Sequence, residues 1–343
     1  MSKQVKIGKV TIGGGADIAV QSMTNTPTSD AEATLAQIMR LAERGCDIVR
    51  ASVPDEASAI AFKTICEKSP LPVVADIHFD YKMAIAAIEN GAAKVRINPG
   101  NLGGEDKLKR VADCLKMHKI PVRVGVNGGS LDKKYAALPL PEAMCESALE
   151  YCAMLEKHGV DDIVVSVKSS SVKDMVECNR MLAKRCDYPL HLGVTEAGLY
   201  LQGLVKSAVG IGALLLDGIG DTIRVSLTDD PVKEVDAAAE ILKAAGRYNK
   251  PYVEIIACPT CARTKINVRQ LAEKVREYTS GVHKNLQIAV MGCIVNGIGE
   301  SSHCDIGIAG GEGRSALFKD GKIIKTVENK DLMKELLAAV DKL

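Results

Sequence analysis

Short runs rich in apolar and β-branched residues recur along the first part of the chain, at 17–23, 47–53, 72–77, 94–99, 121–126, 162–167, 191–195 and 222–227. Each has strand length, and their starts lie 22 to 41 residues apart. The segments between them, such as 30–43 and 80–90, carry apolar residues at helical spacing. Strands that alternate with helices pair in parallel. Eight such units in about 250 residues predict a closed (β/α)8 TIM barrel, an α/β fold, over residues 1–247. A doubly wound open sheet is the main alternative. Ser29 with Glu32 forms a capping box at the start of the first helix, and Gly91 and Gly159 stand where helices end. Residues 5–15 read as a hairpin able to plug the barrel floor. After a short polar linker at 246–251 the pattern changes. Strands are expected at 252–257, 287–291 and 305–309, with a hairpin over 316–327 turning at Asp320-Gly321. Helices are expected at 268–278 and 330–342. This is a small α+β domain over residues 248–343.

Polar residues gather at the C-terminal ends of the barrel strands, where the active sites of such barrels lie. In order they are Asn25, Arg50, Asp76 with His78, Arg96 with Asn98, Arg123 with Asn127, Ser166 with Lys168, Thr195 with Glu196, and Arg224 with Ser226. Several pairs are two residues apart, so both side chains leave the same face of the strand. Arg50, Arg96, Arg123, Lys168 and Arg224 would converge on one mouth and repel one another unless an anion binds there. Guanidinium forks match phosphate oxygens in pairs, so the expected ligand carries more than one phosphate. The glycine-rich segment 98–104 follows a strand and precedes a helix. Its amides either face an anion or form a plain turn. The glycines at 210–212 and 218–220 lack the strand–GxGxxG–helix order of a dinucleotide site, so no nicotinamide cofactor is expected.

Composition narrows the class. Of 343 residues, 25% are charged and the net charge is +1, which disfavours a nucleic-acid partner. No apolar run reaches the roughly 18 residues of a membrane span. The first residues lack the apolar core of a signal peptide, so the expected location is cytoplasmic, where disulfides are rare. Among 11 cysteines, Cys258, Cys261, Cys293 and Cys304 cluster near glycine, proline or strand ends. The other cysteines read as small buried hydrophobes. Cys258-Pro-Thr-Cys261 supplies two thiolates from one turn, and Cys293 adds a third 32 residues later. A zinc ribbon wants a second Cys-x-x-Cys pair. Three thiolates with an unusual fourth ligand suit a [4Fe–4S] cluster better, though structural zinc stays open at this point. By spacing alone the fourth ligand is Cys304, His303, Glu300 or a group from outside, with Cys304 the chemical default.

Seven long motifs in order then carry a resemblance over essentially the whole chain. They are VQSMTNT at 20–26, VRASVP at 49–54, ADIHFD at 75–80, VRINPGN at 95–101, RVGVN at 123–127, HLGVTEAG at 191–198 and CPTC at 258–261. In these the chain resembles the compact bacterial 4-hydroxy-3-methylbut-2-en-1-yl diphosphate synthases of the methylerythritol phosphate route to isoprenoids. The resemblance implies one [4Fe–4S] cluster per chain, held by Cys258, Cys261, Cys293 and Glu300, which replaces Cys304 as fourth ligand. It implies that Glu196 acts as the acid/base group, with His78 and Asp76 beside it. The substrate contacts would be Arg50, Arg96, Asn98, Arg123, Asn127, Ser166, Lys168, Thr195, Arg224 and Ser226. The implied reaction is the reductive ring opening of a cyclic diphosphate, with flavodoxin or ferredoxin as electron donor. It also implies a head-to-tail homodimer. A non-redox barrel enzyme with a zinc tail and an RNA-binding protein with a zinc module are the other classes. The second sits poorly with 3% aromatic residues and no tryptophan.

Overall fold

The computed structural model describes residues 1–282 and 284–343. They divide into two compact units, Met1–Tyr248 and Asn249–Leu343.

The first unit opens with a hairpin of β1 (Val5–Ile7) and β2 (Val10–Ile12). A Cβ at Gly13, where φ is +73°, would stand 2.0 Å from the Lys3 carbonyl oxygen, so only glycine fits the exit from this hairpin. Eight parallel strands follow, each with a helix after it: β3 (Ala19–Met23), α1 (Ala31–Glu43), β4 (Ile48–Ser52), α2 (Glu56–Lys68), β5 (Val73–Asp76), α3 (Tyr81–Glu89), β6 (Lys94–Ile97), α4 (Glu105–His118), β7 (Val122–Asn127), α5 (Leu140–Lys157), β8 (Ile163–Lys168), α6 (Val172–Arg185), β9 (His191–Leu192), α7 (Tyr200–Leu216), β10 (Thr222–Ile223) and α8 (Pro231–Ala244). The strand order is β8-β7-β6-β5-β4-β3-β10-β9. A parallel bridge from Val165 to Leu190 joins the two ends, so the sheet closes as a (β/α)8 barrel and not as an open doubly wound sheet.

Two apolar regions hold the unit together. One lies between the barrel and its helices, built from residues such as Ile38, Phe62, Val95, Val124 and Val165. The other is the floor, where Val5, Ile7 and Ile12 of the hairpin pack on Ala19, Ile48, Val74 and Val164. The expected capping box gives way to a different cap. Asp30 is the N-cap of α1, and its Oδ1 accepts from the Ala33 amide at 3.0 Å. An aspartate one position closer to the helix becomes the cap, so the capping amide shifts from Glu32 to Ala33. Gly91 and Gly159 are left-handed just beyond α3 and α5, with φ of +93° and +76°.

The second unit is a five-stranded sheet of β11 (Val253–Ala257), β12 (Leu286–Met291), β13 (Ile306–Ala309), β14 (Arg314–Lys319) and β15 (Lys322–Glu328), in that order. The first three are parallel and the last three antiparallel. Helix α9 (Val268–Tyr278) and helix α11 (Leu332–Val340) supply the apolar partners of the sheet. A short helix, α10 (Ile294–Glu300), was not expected from the sequence, because Gly297 and Gly299 read as turn residues. Its packing explains the first of them. A Cβ on Gly297 would lie 2.6 Å from the Met291 Cβ, so glycine is what lets α10 rest on the sheet.

Candidate functional site

A barrel interior is ordinarily filled by branched apolar side chains. Here it is cationic. Arg96 and Arg123 are neighbours by register on β6 and β7, and Asn127 and Lys168 on β7 and β8. Two interior glycines make the crowding possible. A Cβ on Gly125 would stand 2.4 Å from Arg96 Nε, and one on Gly193 would stand 2.8 Å from Lys168 Nζ. The long cationic side chains therefore lie across the positions these glycines leave bare.

Asp76 at the end of β5 organises one side of the mouth. Its carboxylate is 3.3 Å from Arg96 Nη1, 3.7 Å from Arg50 Nε and 3.4 Å from His78 Nε2. Burial alone would raise this carboxyl. The Arg50 guanidinium foremost, then His78, Arg96 and Arg123, hold it well below the usual carboxylate range. Asp76 is thus a fixed anion that orients cations, not a proton donor at neutral pH. Burial pushes Arg50 down to about 10, with Arg224 and Arg96 adding repulsion that Asp76 partly offsets. Lys168 is lowered well below its ordinary value by burial and then by Arg224, Arg50, Arg123 and Arg96.

The other side is organised by a residue that sequence reasoning missed. Glu234, in the first turn of α8, accepts from Arg224 at 3.0 Å, from Ser22 Oγ at 3.0 Å and from the Leu227 amide at 3.0 Å. Arg224 is therefore already paired, which corrects the expectation of five cations awaiting an anion. In the sequence Glu234 looks like an ordinary acidic residue at a helix start. Only the strand–helix return reveals its partner. Five cations still face two buried carboxylates, and the excess charge still calls for an anionic ligand.

The remaining expected residues divide. Asn98 and Ser166 are buried in the interior, while Asn127, Thr195 and Ser226 are half-buried at strand ends. Asn98 Oδ1 accepts from the Gly100 amide at 3.2 Å and its carbonyl from the Asn101 amide at 2.9 Å, so segment 98–104 is chiefly a βα turn that spends two of its own amides internally. Asn25 is engaged elsewhere, its Oδ1 accepting from Gln37 Nε2 at 2.6 Å. Glu196 is exposed at the rim, and its backbone is left-handed with φ +52°. A glutamate in that conformation is held there at a cost, which is characteristic of functional positions.

In the second unit the parallel pair β11 and β12 brings two cysteines to one end of the sheet. Cys258 directly follows β11, and its Sγ accepts from the Gly292 amide at 3.1 Å. The loop after it folds against the same turn, with the Lys265 amide donating to Gly292 O at 2.8 Å. A Cβ on Gly292 would meet the Thr264 side chain at 3.0 Å, so this glycine keeps the loop close. Cys261 lies in that loop, exposed. Its thiol is lowered, first by the Arg263 amide and then by the Arg263 charge, with Thr264 contributing. Cys293 is the N-cap of α10 and Glu300 its last residue. Seven positions apart, they share one helix face two turns apart. Cys304 is fully buried among Ala289, Met291, Ala309 and Phe318, and burial raises its thiol. It is an apolar core residue here and would have to leave that core to bind a metal. Among the described residues, no three His, Cys, Asp or Glu side chains stand close enough together to hold a single metal ion. Cys258, Cys261 and Cys293 are soft thiol donors of the kind that hold iron–sulfur clusters or zinc.

Among the described residues, no helix is long and apolar enough to cross a membrane. Comparison with known proteins places the whole chain. The model of the GcpE TIM-barrel domain matches residues 2–239, and that of the GcpE protein C-terminal domain matches residues 254–342. The 4-hydroxy-3-methylbut-2-en-1-yl diphosphate synthase (flavodoxin) of Caldanaerobacter subterraneus subsp. tengcongensis is 53% identical, covering 100% of this chain and 97% of its own length. The protein of the same description from Clostridium perfringens is 51% identical, covering 99% and 98%. Solved structures add the fold alone. A Yersinia pestis dihydropteroate synthase superposes with a TM-score of 0.53 at 12% identity, over 72% of this chain and 100% of its own. An N-acetylneuraminic acid synthetase from Leptospira borgpetersenii gives 0.53 at 13% identity, over 82% and 98%. With both domain models matched and half of all residues shared with full-length relatives, the chain belongs to the GcpE family of 4-hydroxy-3-methylbut-2-en-1-yl diphosphate synthases.

Proposed function

We propose that the chain opens 2-C-methyl-D-erythritol 2,4-cyclodiphosphate reductively to 4-hydroxy-3-methylbut-2-enyl diphosphate, an isoprenoid precursor. Two electrons enter, from a flavodoxin as in the names of the relatives, and one hydroxyl leaves as water. The observation that carries the reading is the barrel mouth, where five cations face two buried carboxylates on a scaffold whose full-length relatives bear this activity. A cyclic diphosphate supplies the missing negative charge in a compact form.

In this reading Arg96, Arg123 and Lys168 bind the diphosphate, with Asn98, Asn127, Ser166, Thr195 and Ser226 around it. Asp76 and Glu234 keep Arg50, Arg96 and Arg224 aimed. Glu196 sits at the rim and moves a proton at the substrate carbon skeleton, and His78, bound to Asp76, stands beside the same opening. One [4Fe–4S] cluster would be held by Cys258, Cys261, Cys293 and Glu300. When bound, it supplies electrons and a Lewis-acidic iron whose carboxylate ligand yields more readily than thiolate. Cys304 takes no part.

The reading includes a head-to-tail homodimer in which the cluster domain of one copy serves the barrel of the other. Exposed apolar residues on α7 at helical spacing, Leu201, Val205 and Val209, are a surface such a dimer would cover. Cytoplasmic residence belongs to the same reading, since that compartment keeps thiols reduced. Anaerobic purification followed by iron and sulfide assay tests the cofactor assignment. About four irons per chain are expected, whereas stoichiometric zinc without iron would end it.

A further inference from the structure

Below the mouth the barrel interior stays polar where apolar packing is the rule. Gln21, Lys94, Arg123 and His191 project from β3, β6, β7 and β9, and each is at most 1% exposed. By register Gln21 pairs with Ile48, Lys94 with Val74 and Arg123 with Val164, all three residues of the apolar floor. His191 pairs with Thr222, which in turn pairs with Ala19 of that floor. The four therefore share one level of the barrel interior with those floor residues.

Each presents a buried nitrogen that has no hydrogen-bond partner among the described residues: Gln21 Nε2, Lys94 Nζ, Arg123 Nε and His191 Nε2. Gln21 Nε2, Lys94 Nζ and Arg123 Nε are donors, and His191 Nε2 is one when the Thr222 hydroxyl donates to Nδ1. Arg123 Nη1 donates to Gln21 Oε1 at 3.4 Å, which leaves the amide NH2 as the free end of Gln21. Thr222 Oγ1 lies 2.6 Å from His191 Nδ1. With the hydroxyl donating there, the neutral imidazole carries its proton on Nε2. Burial first, and then Arg123, keeps that imidazole neutral.

We propose that this layer is a second anion site, distinct from the diphosphate pocket, in which a monatomic anion such as chloride is bound by Lys94 Nζ with Gln21 Nε2, Arg123 Nε and His191 Nε2. A single water molecule has only two lone pairs for four donors. A halide accepts from all four. Ile48, Val74 and Val164 stand beside the four donors as register partners and leave them apolar neighbours, so a small anion is the fitting ligand. The site also accounts for Lys94. Burial, with Arg123 and Arg50 nearby, drives this amine well below its ordinary value. An anion in contact restores its charge and screens it from both guanidinium groups, which stabilises the cationic mouth overhead.

The test uses the full-length chain and bromide as the halide probe. Crystals soaked in sodium bromide should show an anomalous peak within hydrogen-bonding distance of Lys94 Nζ, and the peak should persist when the cyclic diphosphate is also bound. Melting in sodium bromide should exceed melting in sodium gluconate of equal ionic strength, by roughly 5 °C at a hundred times the dissociation constant. Lys94→Met should abolish that difference. Bromide found only at the mouth or the protein surface, or displaced by the cyclic diphosphate, overturns the proposal. So does equal melting in the two salts, or an undiminished bromide response in Lys94→Met. Diffraction from the unmodified chain decides the question even if the variant does not fold.

Discussion

Asp76 shows how much one buried charge can hold in place. It is 4% exposed at the side chain, with Arg50, Arg96 and His78 all within 3.7 Å. Asp76→Asn leaves those guanidinium groups without their counter-ion. It should cost the ligand-free protein about 3–5 kcal/mol in urea denaturation, and the cyclic diphosphate should restore part of that. The sign with pH follows from a depressed carboxyl. Its contribution is complete above the unfolded aspartate value near 3.9 and is lost progressively as pH falls below it. Arg96→Ala or Arg123→Ala should weaken cyclic diphosphate binding by roughly 2–4 kcal/mol in calorimetry. Lys3→Ala, which removes an exposed pair with Asp187 and a cation–π contact with Tyr188, should leave binding unchanged. Glu196→Gln should bind substrate and retain cluster colour but turn over slowly. Near-normal turnover would refute its proton-transfer role. The sequence made these cations legible because they recur at strand ends with a two-residue period. It hid their partners, since Glu234 lies ten residues beyond Arg224 and meets it only after the chain turns back along α8.

At the scale of elements, the barrel was readable because each strand is a short apolar run bounded by turn residues, and all eight fall where that pattern places them. Helix α10 was not, because the glycine that allows its packing looks like a breaker when seen alone. Gly297→Val tests this directly. The added side chain collides with Met291 and should lift α10, so cluster retention should fall although every ligand is intact. Full iron content in that variant would show that the seating of α10 does not matter to the cluster. The polar residues level with the floor are hidden in the sequence for a related reason. Lys94 and His191 open their strands, where a polar residue reads as the end of a loop, yet Lys94, Arg96 and Asn98 continue one alternation into the barrel interior.

At the scale of the whole molecule, the proposed dimer predicts complementation. An Arg96→Ala chain and a Cys258→Ser chain should each be inactive. Co-expressed, about half of randomly paired dimers are mixed and each holds one intact composite site, so about a quarter of full activity should return. Persistent inactivity despite confirmed mixed dimers would contradict the head-to-tail arrangement. The central claim, that this chain reduces a cyclic diphosphate, is tested most directly by product analysis. The anaerobically purified chain with its iron and sulfide is mixed with reduced flavodoxin and 2-C-methyl-D-erythritol 2,4-cyclodiphosphate, and the products are followed by mass spectrometry. The account predicts stoichiometric 4-hydroxy-3-methylbut-2-enyl diphosphate, absent when Cys258→Ser replaces the native chain. Unchanged substrate with a fully loaded protein and an active electron donor would contradict it.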